Sequence, residues 1–148
     1  MTKPTSDRDN LGKLIIAISR LWRRAADGAL DDCGLSHATA MPLVTLSRLG
    51  DNIRHGQLAD QLGVEGPSLV RIVDLLLADG LVTRVEDPAD RRAKILSLTA
   101  SGRKRVDEIE RILGVLRTDI LNDVDDGELH VTVAVLEKIE GKLLGREA

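Results

Sequence analysis

With 148 residues the chain is long enough for one ordinary folding unit with a real core and too short to expect two. A formal charge of −3 and a pI near 5.6 exclude a protein that coats nucleic acid by bulk electrostatics. One Trp and no Phe or Tyr leave the core to Leu, Ile, Val and Ala, which suits helix packing and disfavours base stacking on aromatic platforms.

Charge is distributed unevenly. Arg91, Arg92, Lys94, Arg103, Lys104 and Arg105 fall in one stretch with no acidic residue, whereas residues 119–128 are dominated by Asp and Glu, so one basic and one acidic surface are expected. The single cysteine, Cys33, rules out an internal disulfide and suits a reducing compartment. No apolar run is long enough to span a bilayer and no secretory leader is evident, so the expectation is a cytoplasmic protein with no membrane partner, nucleoid-associated when bound to DNA.

Over residues 10–29, Leu11, Leu14, Ile15, Ile18, Leu21, Trp22 and Ala25 recur at three-and-four spacing, which predicts an amphipathic helix ended by Cys33 and Gly34. Ser36 is the expected N-cap of a second helix reaching about Leu49, with Pro42 marking a kink or a late start and Gly50, Asp51 and Asn52 closing it. Residues 57–62 read as a short helix stopped by Gly63. Gly66, Pro67 and Ser68 open the next, because proline's fixed φ suits a first helical turn. In that helix Leu69, Val70, Val73, Leu76 and Leu77 are expected inward and Ser68 and Arg71 outward, with Gly80 as the stop.

Residues 81–85 and 94–98 have the alternating, β-branched look of two strands, and the intervening EDPADRR reads as their turn. Thr99 or Ser101 is the expected cap of a helix over 102–122, with Val106, Ile109, Ile112, Leu113, Leu116 and Ile120 on one side. A last helix over 126–144 carries Leu129, Val133, Leu136, Ile139 and Leu143.

A short helix, a tight turn, a second helix and a charged hairpin, in that order, make a winged helix-turn-helix, a mainly α fold with a small β-hairpin wing. The first and last helices carry more aliphatic surface than one small winged domain needs. They are expected to form a homodimer interface, the alternative being that they pack on their own domain. The expected organisation is a single domain over 1–148, with dimerisation helices at about 10–34 and 102–145 and a DNA-binding lobe at about 36–100.

The second helix of the pair carries the strongest functional signal. Arg71 and Ser68 are the residue types that bond base edges and phosphate oxygens, and an Arg paired bidentately with guanine discriminates by about 1–3 kcal/mol. The alternative for Arg71 is a solvated ion pair with Asp74 or Asp79. Pro67 and Ser68 also stand where free backbone N–H groups could receive a phosphate. In the hairpin Asp90, Arg91 and Arg92 are read as turn residues, with Arg92 at the tip facing a minor groove and Asp90 holding an Arg or capping the turn. Arg91 and Lys94 complete the expected double-stranded DNA contacts.

The helix GVEGPSLVRIVDLL, the wing DPADRRAKILSLT and the tract LWRRAAD at 21–27 resemble the multiple antibiotic resistance regulator (MarR) family, and within it the SlyA-like branch, over nearly the whole chain. The most specific parts are Asp90 and Arg92 followed by a β-run ending in Leu98 and Thr99, and PSLVR at 67–71. The resemblance implies a homodimeric transcription regulator on a pseudo-palindromic operator, with Arg71 in the major groove and Arg92 in the minor groove; a repressor is the expectation, with activation left open. It also implies a small anionic aromatic effector, such as an aromatic carboxylate, in the crevice between dimerisation helices and DNA lobe. With Tyr and Phe missing, Trp22, His37 and Met41 are left as the lining of such a site, Trp22 reading equally as a core or interface residue.

Other chemistries find little support. Cys33 has no neighbouring cation in the sequence to lower its pKa, which argues against a redox sensor. His37, His55 and His130 are scattered and lack a Cys or His at ligand spacing, so no metal and no cofactor are expected. Neither a phosphate-binding glycine loop nor a Ser-His-Asp order is recognisable, so no enzyme is expected. A winged-helix adaptor for a protein partner is the alternative function.

Overall fold

The structure, a computed structural model, describes residues 6–147. The elements in order are α1 (Asp7–Asp32), α2 (His37–Leu49), β1 (Ile53–Arg54), α3 (His55–Leu62), α4 (Gly66–Ala78), β2 (Val82–Asp87), β3 (Asp90–Leu98), α5 (Ala100–Leu121) and α6 (Asp126–Glu147). The fold is mostly helical with one small antiparallel sheet, ordered β1-β3-β2. Two compact units, Met1–Leu116 and Arg117–Ala148, divide the chain.

Local chemistry sets most helix ends. At α1 the Ser6 hydroxyl accepts the Asp9 N–H at 3.2 Å while the Asp9 carboxylate accepts from Ser6, a reciprocal cap that starts the helix ahead of residue 10. Ser36 is the N-cap residue of α2, but its hydroxyl caps nothing; Thr39 instead donates to the Ser36 carbonyl at 3.2 Å. Pro42 lies buried inside α2, which begins at His37, so it marks no late start. Gly63 closes α3 in the left-handed region at φ +64, a conformation that costs other residues a Cβ clash.

The core belongs to the first unit. Leu30 of α1, Leu43 and Leu46 of α2, Leu58 of α3, Leu69, Val73 and Leu76 of α4, Leu96 of β3 and Ile109 of α5 are fully buried together. Val70, expected inward, is instead exposed. Positions 69, 72, 73 and 76 hold one face, and a residue next to Leu69 is turned about 100° away from it, so Ile72 packs against the core in its place.

The hinge between sheet and α5 is tightly built. Thr99 donates its hydroxyl to the Gly80 carbonyl at 2.6 Å and accepts the Gly102 N–H at 3.0 Å, so Thr99, not Ser101, is the cap. A Cβ on Gly102 would sit 2.0 Å from the Leu81 carbonyl oxygen; only glycine permits this approach.

Three features of the sheet differ from expectation. A third strand, β1, pairs Ile53 with Leu96 and Arg54 with Ile95. The hairpin strands run further toward the tip, and the turn is reduced to Pro88 and Ala89. Asp90, Arg91 and Arg92 therefore belong to β3 and not to the turn.

Elsewhere large apolar side chains face outward. In α1, Ile16 is 74% exposed, with Leu14, Ile18 and Leu21 also open; α6 buries no residue, and Val131, Leu143 and Leu144 are exposed.

Candidate nucleic-acid interface

On α4 the segment Gly66–Ser68 forms the first turn, with Pro67 inside it, and its opening N–H groups have no helical acceptor. Pro67, Ser68 and Arg71 are all exposed. The Asp74 carboxylate is taken by Arg84 of β2 at 3.0 Å, and among the described residues Arg71 makes no ion pair. The guanidinium is therefore available to a ligand.

In the wing, β2 and β3 pair regularly up to Glu86 and Lys94, after which Asp87 pairs with Asp90. Arg91, Arg92 and Ala93 lie between these two pairings as a bulge, a distortion that redirects side chains at a strand end. The Asp90 carboxylate accepts the Arg92 backbone N–H at 3.0 Å and so braces the bulge. Arg91 and Arg92 are exposed and make no ion pair among the described residues, whereas Lys94 sits 3.2 Å from Glu86 directly across the ladder, which partly neutralises it.

One acidic residue, Asp87, acts as a fastener that local sequence pattern does not mark as functional. Asp87 is almost buried; it accepts the Ala89 N–H at 2.9 Å and a guanidinium N–H from Arg54. The Ala89 N–H, and after it the Arg54 charge, hold its carboxyl below the usual carboxylate range against the opposing effect of burial. An Asp before Pro-Ala is a side-chain turn signal visible in the sequence, but its partner Arg54 is not. His55, beside Arg54, has a buried Nε2 with no hydrogen-bond partner among the described residues, and burial, reinforced by the Arg84 charge, pushes its pKa down.

Of the residues expected to line an effector site, His37 and Met41 stand one turn apart on α2 and Trp22 lies on α1. Trp22 is partly exposed on α1, His37 Nδ1 lies 3.3 Å from the Asp27 carboxylate, and Met41 is half-buried on α2. A crevice of about 30 Å³, room for little more than a water, lies elsewhere, over Leu35, Leu43 and Ile109 with Ser36, Thr39, Asp79 and Arg105 among its lining. Among the described residues no group of three His, Cys, Asp or Glu could hold a metal ion, and no helix is long and apolar enough to cross a membrane.

Residues 34–93 match the family model described as MarR family. The crystal structure of transcriptional regulator PA3341 is similar at 37% identity and a TM-score of 0.81, covering 91% of this chain and 98% of that one. The chain belongs to the MarR family. CouR from Rhodococcus jostii RHA1, crystallised bound to p-coumaroyl-CoA, is 25% identical with a TM-score of 0.74 over 89% of this chain and 92% of its own. A mutant MarR from E. coli, complexed with operator DNA, shares the fold at 22% identity and a TM-score of 0.75, covering 93% and 99% of the two chains. As a MarR-family winged helix protein this chain is a DNA-binding transcription regulator, with α3 and α4 as the helix-turn-helix and β2–β3 as the wing.

Proposed function

We propose that this MarR-family regulator binds a pseudo-palindromic operator as a homodimer and represses transcription, as a cytoplasmic protein of the SlyA-like branch. The chain acts as a single functional domain: residues of about 36–100 read DNA, and those of about 10–34 and 102–145 form the dimer. The observation that carries the reading is the set of exposed guanidinium groups that make no ion pair among the described residues, Arg71 on α4 and Arg91 and Arg92 in the wing bulge, in a chain whose net charge is negative. Arg71 reads the major groove, with Pro67 and Ser68 at phosphate; Arg92 enters the minor groove, and Arg91 and Lys94 follow the backbone beside it.

The outward apolar residues of α1 and α6 support dimerisation, since a second copy would remove them from water. Two recognition helices about 34 Å apart would then meet successive major grooves. A small anionic aromatic compound is the proposed effector, supported by CouR's p-coumaroyl-CoA, an aromatic acyl thioester that carries its negative charge on the CoA phosphates. Trp22, His37 and Met41 are the proposed contacts. Arg105, beside the small crevice, would offer a cation to the carboxylate if that crevice widened.

The test is a fluorescence-anisotropy titration of intergenic duplexes adjoining this protein's own gene, with and without salicylate. Selective binding that weakens on the order of a thousandfold between 50 and 200 mM salt is expected for about six phosphate contacts. Duplex affinity no better than random DNA would overturn the reading and favour a protein partner for the same face.

A further inference from the structure

The three-stranded sheet carries two kinds of arginine. Arg92 makes no ion pair among the described residues, but Arg54, outside the hairpin on edge strand β1, commits its guanidinium to Asp87 at the far end of β2. Arg54, Ile95 and Val85 occupy one cross-strand row, so the Arg54 side chain crosses the central strand to reach its partner. Asp87 uses its other oxygen to accept the N–H of Ala89, the second residue of the two-residue turn. A single carboxylate thus couples the backbone of the wing turn to β1. The backbone N–H of Arg54 is in turn accepted by Gln57 of α3 at 3.0 Å. Asp87 is only 7% exposed, and an almost buried carboxylate deprived of its cation is strongly disfavoured.

We infer that Arg54 is a positioning residue for DNA recognition: through Asp87 it fixes the wing turn, and with it the bulge that presents Arg91 and Arg92, without itself touching DNA. This rests on the DNA-binding reading above. The competing role is direct phosphate contact, since the Arg54 side chain is 51% exposed.

The full-length protein is used to enrich a duplex from a random pool, and the complex is probed by hydroxyl radicals, which attack through the minor groove, and by dimethyl sulfate at guanine N7 in the major groove. Arg54→Ala is expected to lose the minor-groove protection, as Arg92→Ala does, while the major-groove protection persists. Each should weaken binding about tenfold, and Arg54→Ala/Arg92→Ala should bind no more weakly than Arg92→Ala, because both act through one contact. Asp87→Asn keeps an acceptor for Ala89 and removes only the charge facing Arg54, so it should reproduce the selective loss even if Arg54→Ala fails to fold. Roughly hundredfold weakening in the double variant, or minor-groove protection intact in Asp87→Asn, would overturn the inference and leave the regulator reading standing. Failure of the wild type to enrich any duplex would overturn both.

Discussion

Arg84 on β2 and Asp74 on α4 meet at 3.0 Å, so the wing is tied at its root to the recognition helix. Both side chains are open to water, at 34% and 56%, and an exposed pair of this kind contributes about 0–1 kcal/mol. Arg84→Ala should therefore lower Tm by no more than about 4 °C in a thermal melt followed by circular dichroism. A much larger drop would show that the pair is part of the core structure and not only a link between two DNA-facing elements.

Arg71→Ala and Arg92→Ala should each weaken operator binding by about 1–3 kcal/mol, with unchanged melting temperature, since neither side chain packs in the core or makes an ion pair among the described residues. Their effects should differ in kind. Arg71→Ala should relax preference at one major-groove base pair, whereas Arg92→Ala should relax preference for a narrow minor groove, as read by competition among duplex variants. Full affinity in both variants would remove these residues from the interface.

Gly102→Ala should be among the most damaging single-methyl changes in the chain. The added Cβ meets the Leu81 carbonyl at 2.0 Å, and a backbone atom cannot swing aside as a side-chain tip can. Separating α5 from the sheet should cost about 3 kcal/mol or more, read by denaturant titration, whereas Gly114→Ala, with open space around it, should be tolerated.

Acidification should weaken the lobe through His55. Its folded pKa lies below the ordinary value of about 6.5, so the folded state binds fewer protons than the unfolded state, and the neutral ring's contribution is fully present only above 6.5. Stability should decline as pH falls from 6.5 toward the lower folded value. In His55→Gln that slope should be shallower over the same window in urea titrations. Asp87 acts in a lower range by the same sign: its contribution is present above about 3.8 and lost as pH falls through its depressed value.

Leu143→Asp should convert a dimer to a folded monomer. Leu143 is 56% exposed on a helix with no fully buried residue, so the charge disturbs little intramolecular packing. Light scattering after size exclusion would show half the mass with helical content retained; a wild-type monomer would discard the proposed interface.

Much of the lobe was readable along the chain. The helix-turn-helix follows from residues within a few positions of one another, Gly63 as a left-handed stop and Pro67 in a first turn, whereas between Thr99 and Ser101 only the contacts of Thr99 with Gly80 and Gly102 select the cap. Where neighbours were misleading, geometry corrected them. Val70 looked like part of an apolar stripe but lies off its axis, and the two residues of β1 are too few to show alternation.

The sequence by itself determined the order of helices and hairpin and which cations lie in the recognition helix and wing, because periodicity, caps and turn chemistry act over a few residues. Tertiary structure decided which charges are spent. Asp74 goes to Arg84 and not to Arg71, and Asp87 is joined to Arg54 from 33 positions away. An ion pair forms only where folding brings two side chains within a few ångströms, and no local spacing encodes that encounter.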